Sequence, residues 1–259
     1  MDLIKVRVDG PAGTIILNRP DKRNALSRAL LEKFDQALSD LHQEKRVRTV
    51  IVTGAGSAFC GGMDLTEMLA TSQQEDAQAQ WQHDAQQYRD IIERMLLFPK
   101  PIIAAVNGPA MAGGLGLVMA SDIVVSAYTA HFGLPEPRRG LVAGIVSPLL
   151  VFRVGGGHAA HLLLTARSIG AVEAHRIGLV HELVMSDQVW ARAAEVVEEC
   201  AKSAAESLQL SKRMLNEVIG ESLTTLLSAG AAISATARTT EAAAEGLSAF
   251  LEKREPKWP

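Results

Sequence analysis

Through the first two thirds of the chain, short apolar runs rich in Val, Ile and Thr alternate with longer stretches whose apolar residues recur at helical spacing. The runs Thr14–Leu17, Val47–Thr53, Ile102–Val106 and Ile123–Ser126 read as strands, and the polar-apolar alternation of Met1-Asp2-Leu3-Ile4-Lys5-Val6 predicts a first strand before them. From Leu26 to Leu41 the apolar positions 26, 30, 31, 34, 38 and 41 share one helical face, with Ser27 placed to cap it. A Gln-rich helical stretch runs from about Gln73 to Leu97 and is stopped by Phe98-Pro99-Lys100-Pro101. The plan is α/β. From about Ala159 the pattern changes to Ala-, Glu-, Leu- and Lys-rich helical segments out to Lys253. Side chains of such small volume suit close helix packing, on the same chain or on another subunit.

Composition narrows the function classes. The 259 residues carry 26 Lys and Arg against 29 Asp and Glu, with an apolar fraction of 47%. That is enough to bury a core, and it argues against disorder. Neither sign of charge is concentrated, so no nucleic acid partner is expected. Cys60 and Cys200 match neither a CxxC nor a zinc spacing, which predicts a reducing, cytoplasmic compartment with no disulfide framework and no metal. The N-terminus lacks a basic n-region and apolar h-region. The most hydrophobic stretch, Ile102 to Ala127, is interrupted by Asn107, Gly108, Pro109 and Asp122, so a soluble protein with no membrane partner is expected.

Candidate chemistry lies where two strands run into glycines. Val50 to Thr53 leads through Gly54-Ala55-Gly56-Ser57-Ala58-Phe59-Cys60-Gly61-Gly62-Met63 to Asp64-Leu65-Thr66-Glu67. An aspartate followed three residues later by a glutamate is a carboxylate capping box, which starts a helix at Leu65. The design recurs where Ile102–Val106 leads through Asn107-Gly108-Pro109-Ala110-Met111-Ala112-Gly113-Gly114 into an apolar helix. Free N–H groups at such helix starts suit an anion or a developing oxyanion, although glycines at strand ends serve equally as plain turns. No G-x-G-x-x-G, P-loop or G-x-S-x-G motif follows either strand.

A single carboxylate stands out in Phe132-Gly133-Leu134-Pro135-Glu136-Pro137-Arg138-Arg139. The flanking prolines predict a stiff, extended backbone at Glu136. Desolvation beside Phe132 and Leu134 would raise its pKa and suit a general base; pairing with Arg138 or Arg139 would lower it and make a structural salt bridge. Both readings stand. Ser147-Pro148 is explained by helix punctuation, with Ser147 as N-cap and Pro148 at the first helical position. His158 and His161 have no nearby ligand partner, and Cys60 among small residues reads as a compact filler.

Taken together, Leu17-Asn18-Arg19-Pro20-Asp21-Lys22-Arg23-Asn24-Ala25-Leu26, Ala58-Phe59-Cys60-Gly61-Gly62-Met63-Asp64-Leu65, Pro99 to Pro109, Phe132-Gly133-Leu134-Pro135-Glu136 and Glu245 to Arg254 resemble the enoyl-CoA hydratase/isomerase (crotonase) family. The segments occur in family order along essentially the whole chain. The resemblance implies a ClpP/crotonase-like α/β fold of repeated ββα units, a core at residues 1–195, and a C-terminal helical trimerisation region at 196–259 that packs on the core or a neighbouring subunit. It implies an acyl-CoA substrate, coenzyme A as part of that substrate with no separate cofactor, and a homotrimer or dimer of trimers. By motif position, the amides of Met63 and Gly113 hold the thioester oxygen and Glu136 is the catalytic acid/base. Lys22, Arg23, Ala25, Ala58, Cys60 and Gly61 are implied around CoA, with Phe250 and Lys253 at its nucleotide end, from the same or a neighbouring subunit, and residues lining the acyl pocket are implied within Met68 to Tyr88.

The pattern departs from two-glutamate hydratases at Gly116, where those enzymes carry a second glutamate. The resemblance therefore implies a one-glutamate lyase that hydrates an α,β-unsaturated enoyl-CoA, with Δ3,Δ2-enoyl-CoA isomerisation as the alternative and a catalytically weak CoA-binding or RNA-associating homologue as a third reading. Ala143 to Leu149 and Gly178-Leu179-Val180-His181-Glu182 are similar to methylglutaconyl-CoA hydratase-like members. Substrates of that kind carry an extra carboxylate, for which Arg138, Arg139 and His131 are the candidates.

Overall fold

In the protein's structure, a computed structural model that describes residues 2–218 and 221–258, the two most apolar runs form the middle of a sheet. β1 (Ile4–Asp9) and β2 (Ala12–Leu17) pair antiparallel; β3 (Thr49–Gly54), β4 (Ile102–Val106), β6 (Ile123–Ala127) and β9 (Glu182–Val184) then add in parallel. The order is β1-β2-β3-β4-β6-β9. Val50, Ile51, Val52 and the whole of β4 are fully buried, as central parallel strands covered on both faces must be. β1 is the exposed edge, and it begins later and ends later than the alternation predicts because its register sets Ile4 against Leu17 and Asp9 against Ala12. Met1 lies outside the described residues. A second small sheet holds β5 (Ala110–Met111), β7 (His131–Gly133) and β8 (Ser168–Gly170) in the order β5-β7-β8.

The predicted face of α1 (Arg28–Gln43) is buried at Leu30, Leu31, Phe34, Leu38 and Leu41, and Ser27 Oγ accepts from the Leu30 amide at 3.3 Å. Asp64 caps α2 (Leu65–Thr71) by accepting from Thr66 and Glu67 N–H. Glu67 does not complete the capping box; its Oε2 instead accepts from the Arg28 amide at 3.0 Å. α3 (Ala77–Leu97) begins after Gln73, because the Gln73 and Gln74 amides still close the end of α2. α4 (Gly113–Ala120) is buried along its whole length.

Ser147 is not an N-cap. α5 (Val146–Thr165) starts one residue earlier, and both the Ser147 amide and its hydroxyl donate to Ala143 O, so the side chain bonds backward within the first turn. The helix is broken at Gly155, and His158 and His161 lie exposed beyond the break. α6 (Ala171–Arg176) then leads to β9.

The helical tail comprises α7 (Val189–Ala201), α8 (Ala205–Arg213), α9 (Glu221–Ala237) and α10 (Glu241–Glu252). α7 packs on β3, β4 and β6, so a boundary at residue 196 falls inside a core helix. α9 lies on α3 and α5, and α10 on α2 and the 3-10 turn Glu136–Arg139. The last contact is backbone to backbone: a Cβ on Gly246 would stand 2.3 Å from the Arg139 carbonyl carbon, and one on Gly140 would stand 2.2 Å from Ala242 O. Small residues thus let the tail close over the same chain's core. Among the described residues, no single helix is long and apolar enough to cross a membrane.

Candidate active site

The loops leaving β3 and β4 are bridged together at the carboxyl ends of parallel strands, where open α/β sheets place their ligands. Cys60 pairs with Ala110, and Met111 N donates to Cys60 O at 2.9 Å. Leu26 pairs with Met63: its amide donates to Gly62 O at 2.8 Å and its carbonyl accepts from Asp64 N at 3.0 Å. In such a bridge the middle residue's own N–H turns to the opposite side, so the Met63 amide faces away from Leu26. Gly113, the first residue of α4, has no intrahelical acceptor. Among the described residues neither amide has a partner in the chain.

The two loops touch. A Cβ on Gly62, at φ 98°, would stand 2.7 Å from Ala112 Cβ and 3.5 Å from Gly113 N, and one on Gly113 would stand 3.5 Å from Met63 Sδ. Ala112 holds φ 52° and ψ −126°, a conformation that costs a non-glycine residue roughly 1–3 kcal/mol. Its amide donates to Gly133 O at 2.9 Å, which anchors the strained residue to β7 and aims the following N–H of Gly113.

Glu136 opens the Glu136–Arg139 3-10 turn, with Pro137 in the first turn, instead of sitting on extended backbone. A proline is tolerated there because its missing N–H has no helical partner to lose. The carboxyl makes no ion pair with either neighbouring arginine: Oε2 is buried without a hydrogen-bond partner, and burial pushes the pKa up to about 7 against weaker opposing pulls from its own backbone amide and from Arg139. Arg138 reaches Thr165 O instead, and Arg139 stacks its guanidinium 4.2 Å over the Phe250 ring. Of the two readings, the structure has the desolvated carboxyl and not the arginine salt bridge.

These groups open onto a cavity of about 680 Å³, within the usual range for small-molecule sites. Met63, Gly113 and Glu136 line it, with Lys22, Arg23, Ala25, Ala58 and Gly61 at one part of the wall and Phe250 at another. Cys60 does not line it. Its thiol is fully buried, held near Asn24 O, and raised to about 12 by desolvation, which makes it the packing residue the sequence suggested. Lys253, the exposed left-handed C-cap of α10, is not on the wall of the same chain's cavity. Of the three candidates for an extra carboxylate, only Arg139 is on the wall; His131 and Arg138 are exposed elsewhere.

From the stretch Met68 to Tyr88, the cavity takes Met68, Ala85 and Tyr88. Tyr88 explains the missing glutamate. A Cβ on Gly116 would meet the Tyr88 hydroxyl at 2.0 Å, so that phenol fills the space a side chain at 116 would need. The hydroxyl donates to Gly113 O at 2.5 Å, and burial raises its pKa well above the ordinary value, so it stays neutral. Sequence reading also missed Asn24, which is buried with its Nδ2 on the carbonyls of Ala55, Ala58 and Phe59 and thereby shapes the first glycine loop. Its left-handed φ of 56° favours Asn in the Arg-Asn turn and was the available clue. Arg238, buried just past α9, also lines the wall and had no signal in the helical pattern around it.

The chain is similar to known proteins along nearly its whole length. A family model described as enoyl-CoA hydratase/isomerase matches residues 11–259. A Thermus thermophilus relative, provisionally named an enoyl-CoA hydratase, is 39% identical over 96% of this chain and 98% of its own. The 2,3-dehydroadipyl-CoA hydratase of Escherichia coli is 33% identical over 93% and 92%. The crystal structure of an enoyl-CoA hydratase from Mycobacterium avium superposes with a TM-score of 0.88 at 30% identity over the full length of both chains. The fold, the two bridged glycine loops and the match along nearly the whole chain have one conclusion: the protein belongs to the enoyl-CoA hydratase/isomerase family.

Proposed function

We propose that the protein is a lyase that adds water across the α,β double bond of an enoyl-CoA thioester. Lys22 and Arg23 attract the CoA phosphates at the cavity mouth, and the Met63 and Gly113 amides receive the thioester oxygen. Both donors are fixed before the substrate arrives, so they favour the enolate-like charge that builds on that oxygen as water attacks; one such donor is worth about 10²–10³ in rate. Glu136 takes the proton of the attacking water, and the conjugate acid returns a proton to C2. A pKa near 7 suits a group that must both accept and release a proton at neutral pH.

The observation that carries this reading is the buried, unpaired Glu136 carboxyl sharing one cavity with two unpartnered amides. Support from relatives lies in their names, which are hydratases for the three cited. Isomerisation of a 3-enoyl-CoA is the second reading, favoured by the absence of a side chain at Gly116, since one base suffices to move a proton from C2 to C4. Incubation with crotonyl-CoA and with a 3-enoyl-CoA, beside Glu136→Gln, separates the two. A mass gain of one water that the substitution abolishes supports the hydratase; double-bond migration without mass change supports the isomerase; turnover undiminished in Glu136→Gln overturns both.

A further inference from the structure

The cavity wall contains a buried cation whose nearby carboxylate is hydrogen-bonded to another arginine. Arg238 is 8% exposed, lines the cavity, and among the described residues takes part in no ion pair; its recorded contact is a long one, Nη1 to Trp81 O at 3.5 Å. The nearest acid is Asp84, but Arg28 occupies it with two bonds of 2.7 Å and Gln80 adds another at 2.8 Å. Glu67 is turned to the Arg28 amide, and Asp64 is bonded to Arg19 and caps α2. The Trp81 indole N–H is also buried without an acceptor.

Burial lowers the Arg238 pKa to about 10, so the group remains a cation at neutral pH. A bound counter-anion would offset the desolvation of a guanidinium that has no hydrogen-bonded carboxylate of its own. The location fits the acyl end. Trp81, Ala85 and Tyr88 follow one another along one face of α3, and seven residues of helix separate Trp81 from Tyr88 by about 10 Å. Tyr88 bonds to Gly113 O and Arg238 reaches toward Trp81 O, so Arg238 stands toward the end of this helical face away from Gly113, with the apolar Met68 and Ala85 on the same wall.

We propose that Arg238 binds a carboxylate at the far end of the acyl chain, so that the preferred substrate is an enoyl-CoA ending in an anion and not in a methyl group. This rests on the reading of the cavity as an enoyl-CoA site. It moves recognition of the extra carboxylate away from His131 and Arg138, which are outside the cavity, and leaves Arg139 beside the base. A guanidinium suits the role because its planar fork matches a carboxylate in two parallel bonds.

The test compares matched pairs, glutaconyl-CoA with 2-pentenoyl-CoA and 2-hexenedioyl-CoA with 2-hexenoyl-CoA, in the wild type, Arg238→Met and Arg238→Lys. The wild type should prefer the carboxylated member of at least one pair, and Arg238→Met should lower that preference in kcat/KM by about 10- to 100-fold, as expected for loss of hydrogen bonds to a charged group. Arg238→Lys should keep part of it, and supplies the comparison if the Met variant does not fold. Calorimetric binding of the unreactive adipoyl-CoA and hexanoyl-CoA reads Arg238 without chemistry, so failure to hydrate any substrate overturns the hydratase reading alone. A wild type that binds and turns over the methyl-terminated partners as well as the anionic ones, or a preference that Arg238→Met leaves intact, overturns the proposal.

Discussion

Replacing Glu136 by Gln should abolish turnover and make the protein more stable, by an amount that depends on pH. Raising the carboxyl from its ordinary 4.5 to about 7 corresponds to about 3 kcal/mol against ionisation in the folded state. The folded protein holds this proton more tightly than the unfolded chain, so the carboxyl's favourable contribution is complete below the unfolded pKa. It is lost as pH rises through the folded value. Gln is neutral throughout and escapes that loss. Relative to the wild type, Glu136→Gln should gain nothing near pH 4, gain progressively between about 4.5 and 7, and reach a plateau of up to about 3 kcal/mol above pH 7. In a chain of this size that is a rise in Tm of roughly 6–12 °C. Urea unfolding followed by the fluorescence of the three tryptophans at pH 5, 6.5 and 8 measures it. A stability difference that is flat across these pH values would refute the claim that the carboxyl is desolvated and unpaired.

Two further outcomes follow from the same geometry. Because the base works ionised, kcat/KM for an enoyl-CoA should climb with pH and level off through an inflection near 7, the value burial imposes on Glu136; a profile with no inflection there removes Glu136 from the role of base in the free enzyme. Gly116→Ala should lower stability by about 1–3 kcal/mol through overpacking against Tyr88, and Tyr88→Phe should recover part of that loss, since deleting the hydroxyl leaves Cζ at 3.2 Å from the new methyl; denaturant midpoints of the single and double variants would show the coupling, and independent effects would argue against the contact.

The periodicity of the chain carried the scaffold because one physical preference dominates each element. The strands at β3 and β4 are continuous apolar runs that only a doubly covered sheet can bury, and α1 displays one buried stripe behind a serine cap. The cap at Asp64 was equally legible, since its carboxylate needs only the two amides that follow. Local pattern failed where a distant or competing partner was stronger. Glu67 went to the Arg28 amide, and Ser147 bonded back to Ala143.

By itself, the sequence determined that two glycine loops follow buried strands, that a lone glutamate lies between prolines, and that position 116 lacks a side chain. Those are properties of residue type and order. Only the tertiary structure decided that Glu136 is desolvated and not ion-paired to its arginine neighbours, that Tyr88 fills the space beside Gly116, and that Arg238 stands on the wall while the nearby Asp84 is bonded to Arg28. Each of these depends on which groups from distant segments share a low-dielectric space. A carboxylate's pKa and a buried cation's need for an anion are set by that enclosure, and hydrophobic periodicity reports which face is buried without reporting what it is buried against.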